Sequence, residues 1–219
     1  MPEKMLVTQA LDERDLLVKK INDRIAGIQV VDVKKRNEEK TFSARMTTDE
    51  FGAAASSAYQ QIRDLIDRYQ RIDAAIVASN AVSMVQTSCG RFTVAGAIAL
   101  RSRLKGNGIY AHDGNFEDRL MGQMERQFQK NVEYADTKNK GLESPAETMR
   151  LSILGKDSKT KDPKPLEVVD AYIRENTMEV VDPLDSRKKV QEMRDQVDTL
   201  MKELDTQVKV SNATTMIEF

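Results

Sequence analysis

The sequence has no tryptophan, one cysteine and one histidine, and aromatic residues make up only 5% of its 219 positions. Each shortage closes off a class of protein. With Cys89 as the sole thiol, no disulfide can form within the chain and no cysteine metal cluster can be built, which suits a reducing cytoplasm. With His112 as the sole imidazole, the Glu-x-x-His pairs of di-iron bundles are missing. No apolar run approaches the roughly 20 residues that a membrane span needs. The opening Met1-Pro2-Glu3-Lys4-Met5 lacks the apolar stretch of a signal peptide, so a cytoplasmic or virion location is expected. Neither sign of charge dominates: 34 Lys and Arg stand against 35 Asp and Glu, a net charge of −1. A protein that grips phosphate backbones usually carries a basic excess, which disfavours nucleic acid as a partner. There is no Gly-x-Gly-x-x-Gly and no P-loop motif, and no cofactor is expected.

What is abundant is helix-forming sequence. Charged residues account for 32% and hydrophobic ones for 40%. With few aromatics, that balance favours helical seams over a thick globular core. The clearest seam lies between 47 and 76. Phe51, Ala55, Ala58, Ile62, Leu65, Tyr69, Ile72 and Ile76 follow one another at alternating steps of four and three, the a/d heptad of a coiled coil. Arg63, Asp64, Asp67, Arg68, Arg71 and Asp73 fill the positions between as a mixed-charge face. Thr47 and Glu50, three apart, read as a capping box that opens the helix, which should fade near Asn80.

Around it the pattern predicts a helix capped by Thr8 and running to Ala26, with Leu11, Val18, Ile21, Ile25 and Ile28 as its seam, Arg14 breaking that seam, Leu16 and Leu17 widening it and Gly27 as its stop. Val30, Val31 and Val33 suggest a short extended piece, Lys34 to Lys40 a charged loop, and Thr41 to Arg45 a second extended piece. Val82 to Thr87 reads as a strand ending in the turn Ser88-Cys89-Gly90, followed by a helix capped by Thr93 through Leu104 and a break at Gly106-Asn107-Gly108. From Asn115 to Lys138, Phe116, Leu120, Met124, Phe128 and Val132 recur every fourth residue, with Met121 adding width. Ser144, Pro145 and Glu147 suggest a capping box for a helix ending at Gly155. Residues 156–165, with four Lys and two Pro, read as a linker between an N-terminal helical region, 1–155, and a C-terminal region, 166–219, that packs back on it. Within the latter a short helix is expected over Leu166–Arg174 and a strand over Met178–Val181. A closing helix capped by Asp182 should run to Val208 along Val190, Met193, Val197, Leu200 and Leu204, and an extended tail from Ser211 to Phe219. The fold class is mainly α: an elongated helical bundle or coiled coil with a few short strands.

Candidate chemistry is thin. His112 has Asp113 beside it, but both sit between glycines, and a solvated loop histidine outweighs a general base. Cys89 has no neighbouring base to lower its pKa. The basic triplets Lys34-Lys35-Arg36 and Arg187-Lys188-Lys189 adjoin acidic residues and read as solvated charge. Of the eleven Met, those at helical spacing (Met121, Met124, Met193, Met201) read as seam fillers. No catalytic or metal-binding residue is assigned.

Three stretches carry a family likeness: Leu11-Asp12-Glu13-Arg14-Asp15-Leu16, Ile72 to Ala81, and Lys202-Glu203-Leu204-Asp205-Thr206-Gln207-Val208 followed by Ser211-Asn212-Ala213-Thr214-Thr215. In these the chain resembles the septicolysin-like family of small helical bacterial and phage proteins over its first 104 and last 40 residues. Members tend to carry an aromatic before Thr-Thr, where this chain has Ala213. The resemblance implies a helical fold and no catalytic signature. Together with the seams it leads to the expectation of a non-enzymatic structural or assembly protein, in concrete form a phage virion component. It would work as a homo-oligomer or with protein partners through Phe51, Ile62, Leu65, Tyr69, Ile72, Ile76, Val197, Leu200 and Leu204, while Met216, Ile217 and Phe219 dock on another subunit or on a partner. Membrane action and association with nucleic acid are the alternative readings. The first would need a strongly apolar helix face with a basic rim, and the predicted helices have mixed-charge rims.

Overall fold

A computed structural model describes residues 3–108, 113–154 and 164–219. The protein is mainly α. Its elements, in order, are β1 (Lys4–Leu6), α1 (Val7–Gly27), α2 (Thr48–Val82), β2 (Met84–Thr87), β3 (Gly90–Thr93), α3 (Val94–Leu104), α4 (Phe116–Gly141), α5 (Glu143–Leu154), α6 (Lys164–Asn176), α7 (Ser186–Thr214) and β4 (Met216–Glu218). The chain forms two compact units: Met1–Ser102 with Leu200–Phe219, and Arg103–Thr199. The division therefore falls within α3 and α7 rather than at 156–165.

The first unit is built on the α1–α2 pair. Thr47 caps α2: its hydroxyl accepts from the Glu50 N–H, and the Glu50 carboxylate accepts from the Thr47 N–H at 2.9 Å. That second bond holds the Glu50 pKa below the usual carboxylate value. Arg14 meets Asp73 while Asp23–Ile28 lie beside Ala58–Ile62, so the two helices run antiparallel. Two short antiparallel ribbons complete the unit. In one, β1 pairs with β4 in the register Lys4↔Glu218, Met5↔Ile217, Leu6↔Met216. The other is the β2–β3 hairpin, turned by Ser88-Cys89, in which Gly90 takes a φ of 126° that a side chain would strain. The core is Val7, Ala10, Leu17, Ile72, Ile76 and Ile217, with Leu65, Tyr69 and Phe219 packed against it.

In the second unit, α4 is capped by Asn115, whose side chain accepts from the Asp118 N–H and donates to the Leu104 carbonyl. Ala146 of α5 and Val169 of α6 are buried. Arg103 makes a two-point ion pair with Glu117, which lowers the Glu117 pKa.

Several local expectations are corrected. The first helix begins at Val7, its entry held by the Gln9 side chain accepting from the Leu6 N–H, and not at a Thr8 cap; Gly27 is its last residue. Val18 and Ile25 are exposed, because the buried register runs Val7, Ala10, Arg14, Leu17, Ile21. The stretch 28–46 forms no strand. Asp32 gathers the N–H groups of Val33, Ser43 and Ala44, which turns 41–45 back, with Arg45 at a φ of 56°. On α4, Phe116 and Leu120 are exposed, while Met121 and Ala135 are buried with Met124, Phe128 and Val132 partly so. Repeated steps of four drift around a 3.6-residue helix by about 40° each, whereas alternating steps of three and four drift only about 20° per seven residues. The fifth helix starts at Glu143, two residues before Pro145, so Ser144 is not its cap. Residues 178–181 form no strand. Asp182 does accept from the N–H and hydroxyl of Ser186, but the helix begins only there, and it continues through Thr214. The tail is accordingly short. Gly155, His112 and residues 156–163 lie outside the described residues, while 164 and 165 belong to α6.

Candidate functional site

The predicted seam of α2 coincides with its shielded side. Ile62, Ile72 and Ile76 are buried and Phe51, Ala55, Ala58, Leu65 and Tyr69 are half-buried, while Arg63, Asp64, Asp67 and Arg71 face solvent. Shielding deepens toward the C-terminal half, where α1 lies alongside. Arg14 does not break the apolar contact. It occupies a seam position and reaches Asp73 at 3.3 Å. Arg68 binds Glu3 through both terminal nitrogens and Glu13 through Nε, and its guanidinium lies over the Phe219 ring at 5.5 Å. These bonds raise the Arg68 pKa, Glu3 contributing most, and lower that of Glu3. One guanidinium thus joins Glu3, just before β1, with α1, α2 and Phe219.

The tail pairs within its own chain. Glu3 and Phe219 exchange both backbone hydrogen bonds at 3.1 Å, and the Val7 N–H donates to the Thr215 carbonyl. Successive strand side chains alternate faces. Ile217 therefore turns into its own core while Met216 stays exposed.

The stretch from Glu203 to Asp205 acquires a structural account. Leu204 is fully buried. The Glu203 carboxylate accepts from both the N–H and the hydroxyl of Ser88 at 2.8 and 2.7 Å, capping the hairpin turn, and the N–H lowers its pKa. Asp205 accepts from Arg101 at 2.8 Å. Val197, expected on the same seam as Leu200 and Leu204, belongs to the second unit. Among the described residues no group of three or more His, Cys, Asp and Glu stands close enough to share a metal ion, and no helix is long and apolar enough to cross a membrane. Cys89 is a free, exposed thiol at the hairpin tip.

With the seams used inside the chain, the apolar surface left outside lies elsewhere. One patch is the stapled loop 30–46, where Val31, Val33 and Phe42 are exposed by 78%, 67% and 62%. The Phe42 N–H donates to the Val33 carbonyl at 2.7 Å, the Thr41 N–H donates to the Met46 carbonyl, and Arg45 lies over the Phe42 ring. Another is the extended stretch Met178–Leu184, with Val181 exposed by 86%. Asn139 holds it to α4, accepting from the Met178 N–H and donating to the Met178 carbonyl. Neither was assigned as an interaction residue set from the sequence. The signal was there: valines with no periodic partner, flanked by charge, which periodicity reads as strands. No protein-family model, curated protein or solved structure matches the chain.

Proposed function

We propose that this chain is a non-enzymatic structural protein, a building block that meets copies of itself or other proteins in a larger assembly. The observation that supports this reading is the placement of its large apolar side chains. The buried stripes of α1 and α2 face each other, yet Val31, Val33, Phe42, Val181 and Leu184 stand on segments fixed by specific hydrogen bonds and are exposed. Apolar surface displayed on an ordered segment is normally covered by a partner. A phage virion component is the concrete form, and it rests on the family likeness at the two ends. Membrane action draws less support, since the apolar faces of α1 and α2 are spent on each other.

Affinity isolation of the intact chain from its native source, with light scattering for mass and mass spectrometry for composition, tests the reading. A stable complex of defined stoichiometry is expected, and recovery in purified particles would establish the virion form. A chain that is monomeric and isolated alone contradicts the proposal.

A further inference from the structure

Helix α3 ends at Leu104, and the chain passes through Gly106-Asn107-Gly108 before α4 begins at Phe116. Both glycines stand in the left-handed region, Gly106 at a φ of 63° and Gly108 at 61°, a backbone that glycine adopts without strain. Asn107 lies between them, outside any helix or strand and exposed to water. No bond to another described residue holds its side chain. A Cβ at Gly108 would meet no atom within 4 Å, so that side of the backbone is open. The ends of the connector are pinned to each other. The Asn115 side chain donates to the Leu104 carbonyl at 2.7 Å, and Arg103 holds Glu117 at two points.

Asn107 is the one asparagine of the sequence that precedes a glycine, and its setting differs from that of the others. Asn80 and Asn212 lie inside α2 and α7, where the next N–H is bonded along the helix. Asn22, Asn131 and Asn176 each donate to the carbonyl four residues before them. Asn115 caps α4, and Asn139 bonds the Met178 backbone twice. Asn37 sits in a turn, but the N–H that follows it, on Glu38, donates to the Lys35 carbonyl at 3.1 Å.

We propose that Asn107–Gly108 is a site of spontaneous deamidation, at which the folded chain modifies itself in water without an enzyme. The Gly108 backbone nitrogen gives up its proton and attacks Cγ of Asn107. The new N–Cγ bond closes a succinimide ring, the Cγ–Nδ2 bond breaks, and the side-chain nitrogen leaves with that proton as ammonia. Water then opens the ring at one of its two carbonyl carbons. Breaking the newly formed bond leaves an aspartate. Breaking the original main-chain bond leaves an isoaspartate, whose backbone runs through the former side chain and is one carbon longer. Either product adds a negative charge. Closure requires Cγ and the next nitrogen to turn toward each other. Glycine at 108 permits this, because no Cβ blocks the approach and its φ changes freely. A helical backbone, or a following N–H already donated, opposes it. The bonds from Asn115 and Arg103 hold the end of α3 against the start of α4 while the connector changes.

The test incubates the purified full chain at physiological temperature, folded and separately unfolded in guanidinium chloride, at neutral and at mildly alkaline pH. Trypsin, cutting after Lys105 and Arg119, releases residues 106–119 as one peptide that carries both Asn107 and Asn115. Fragment masses read the two positions separately, and an isoaspartyl methyltransferase with labelled S-adenosylmethionine measures the isoaspartate. In the folded chain, conversion at 107 is expected to exceed that at Asn115 and at Asn37 by about tenfold or more. It should be faster at the higher pH, where more of the attacking nitrogen is deprotonated, and should yield isoaspartate as well as aspartate. Gly108→Ala, whose methyl group crowds that nitrogen, should slow it by about tenfold or more. Alanine is strained at this φ, so the wild-type comparison decides alone if the substitution disturbs the connector. A folded chain that keeps Asn107 intact while the unfolded chain converts it overturns the proposal, because the fold would then close the site. Conversion no faster than at Asn115 overturns it too, as does a correctly folded Gly108→Ala chain that converts at the wild-type rate.

Discussion

Arg14 and Ile72 share the same interhelical seam and should contribute very differently to it. Arg14 is partly solvated and its ion pair with Asp73 is half-exposed, so exchanging it for Leu leaves Asp73 in water and costs little. Ile72 is fully buried. Urea unfolding should show Arg14→Leu within about 1 kcal/mol of wild type and Ile72→Ala destabilised by about 2 to 5 kcal/mol. Equal effects would contradict the packing described. Asp32 is a different kind of residue, its carboxyl spent on the chain's own backbone. The N–H of Ala44, assisted by those of Val33 and Ser43, holds its pKa down to about 2, from an ordinary 3.8. A depressed folded-state pKa means the ionised form is the one the fold prefers. Its stabilising contribution is complete above the ordinary value and disappears as the pH falls from about 4 through about 2. An NMR titration of the Asp32 carboxyl carbon should give a midpoint near 2, with the Ser43 and Ala44 amide shifts moving together with it. A midpoint near 4 would show that the loop is not closed by this residue.

Elements were legible where their signal is local and periodic. Helix α2 was readable to within a few residues because its cap, Thr47 with Glu50, and its alternating steps of three and four all lie within one stretch of chain. The stripe of α4 was misphased because Phe116 and Leu120 continue a four-step repeat that a helix carries off its buried side. The β1–β4 ribbon had no local signal. Three residues at each end of the chain pair across more than two hundred positions, and only the folded first unit brings them together. For the same reason Met216, Ile217 and Phe219 read alike as contacts for another subunit, although Ile217 and Phe219 pack on the chain's own core and Met216 alone is exposed. Removing residues 214–219 should accordingly act on the fold. Thermal unfolding of the truncated chain is expected several degrees below wild type, with faster hydrogen exchange in α1 and α2, because the Ile217 and Phe219 contacts are lost. A truncation that unfolds like wild type but fails to associate would restore the intersubunit role.

At the scale of the whole molecule, the exposed apolar stretches around Val30–Val33, Thr41–Arg45 and Met178–Val181 were read from the sequence as extended pieces. Their role depends on exposure, charge and backbone closure, and none of these has a period. Composition nevertheless pointed the right way on class: with a balanced charge and few aromatics, helical seams had to supply the core, and the protein is mainly α. What remains after those seams are filled is apolar surface, and the account claims that this surface is covered by protein. Sedimentation velocity of the intact wild-type chain over a hundredfold range of concentration tests that claim most directly. The account predicts a weight-average sedimentation coefficient that rises with concentration. A single monomeric boundary at every concentration and every salt level would contradict it.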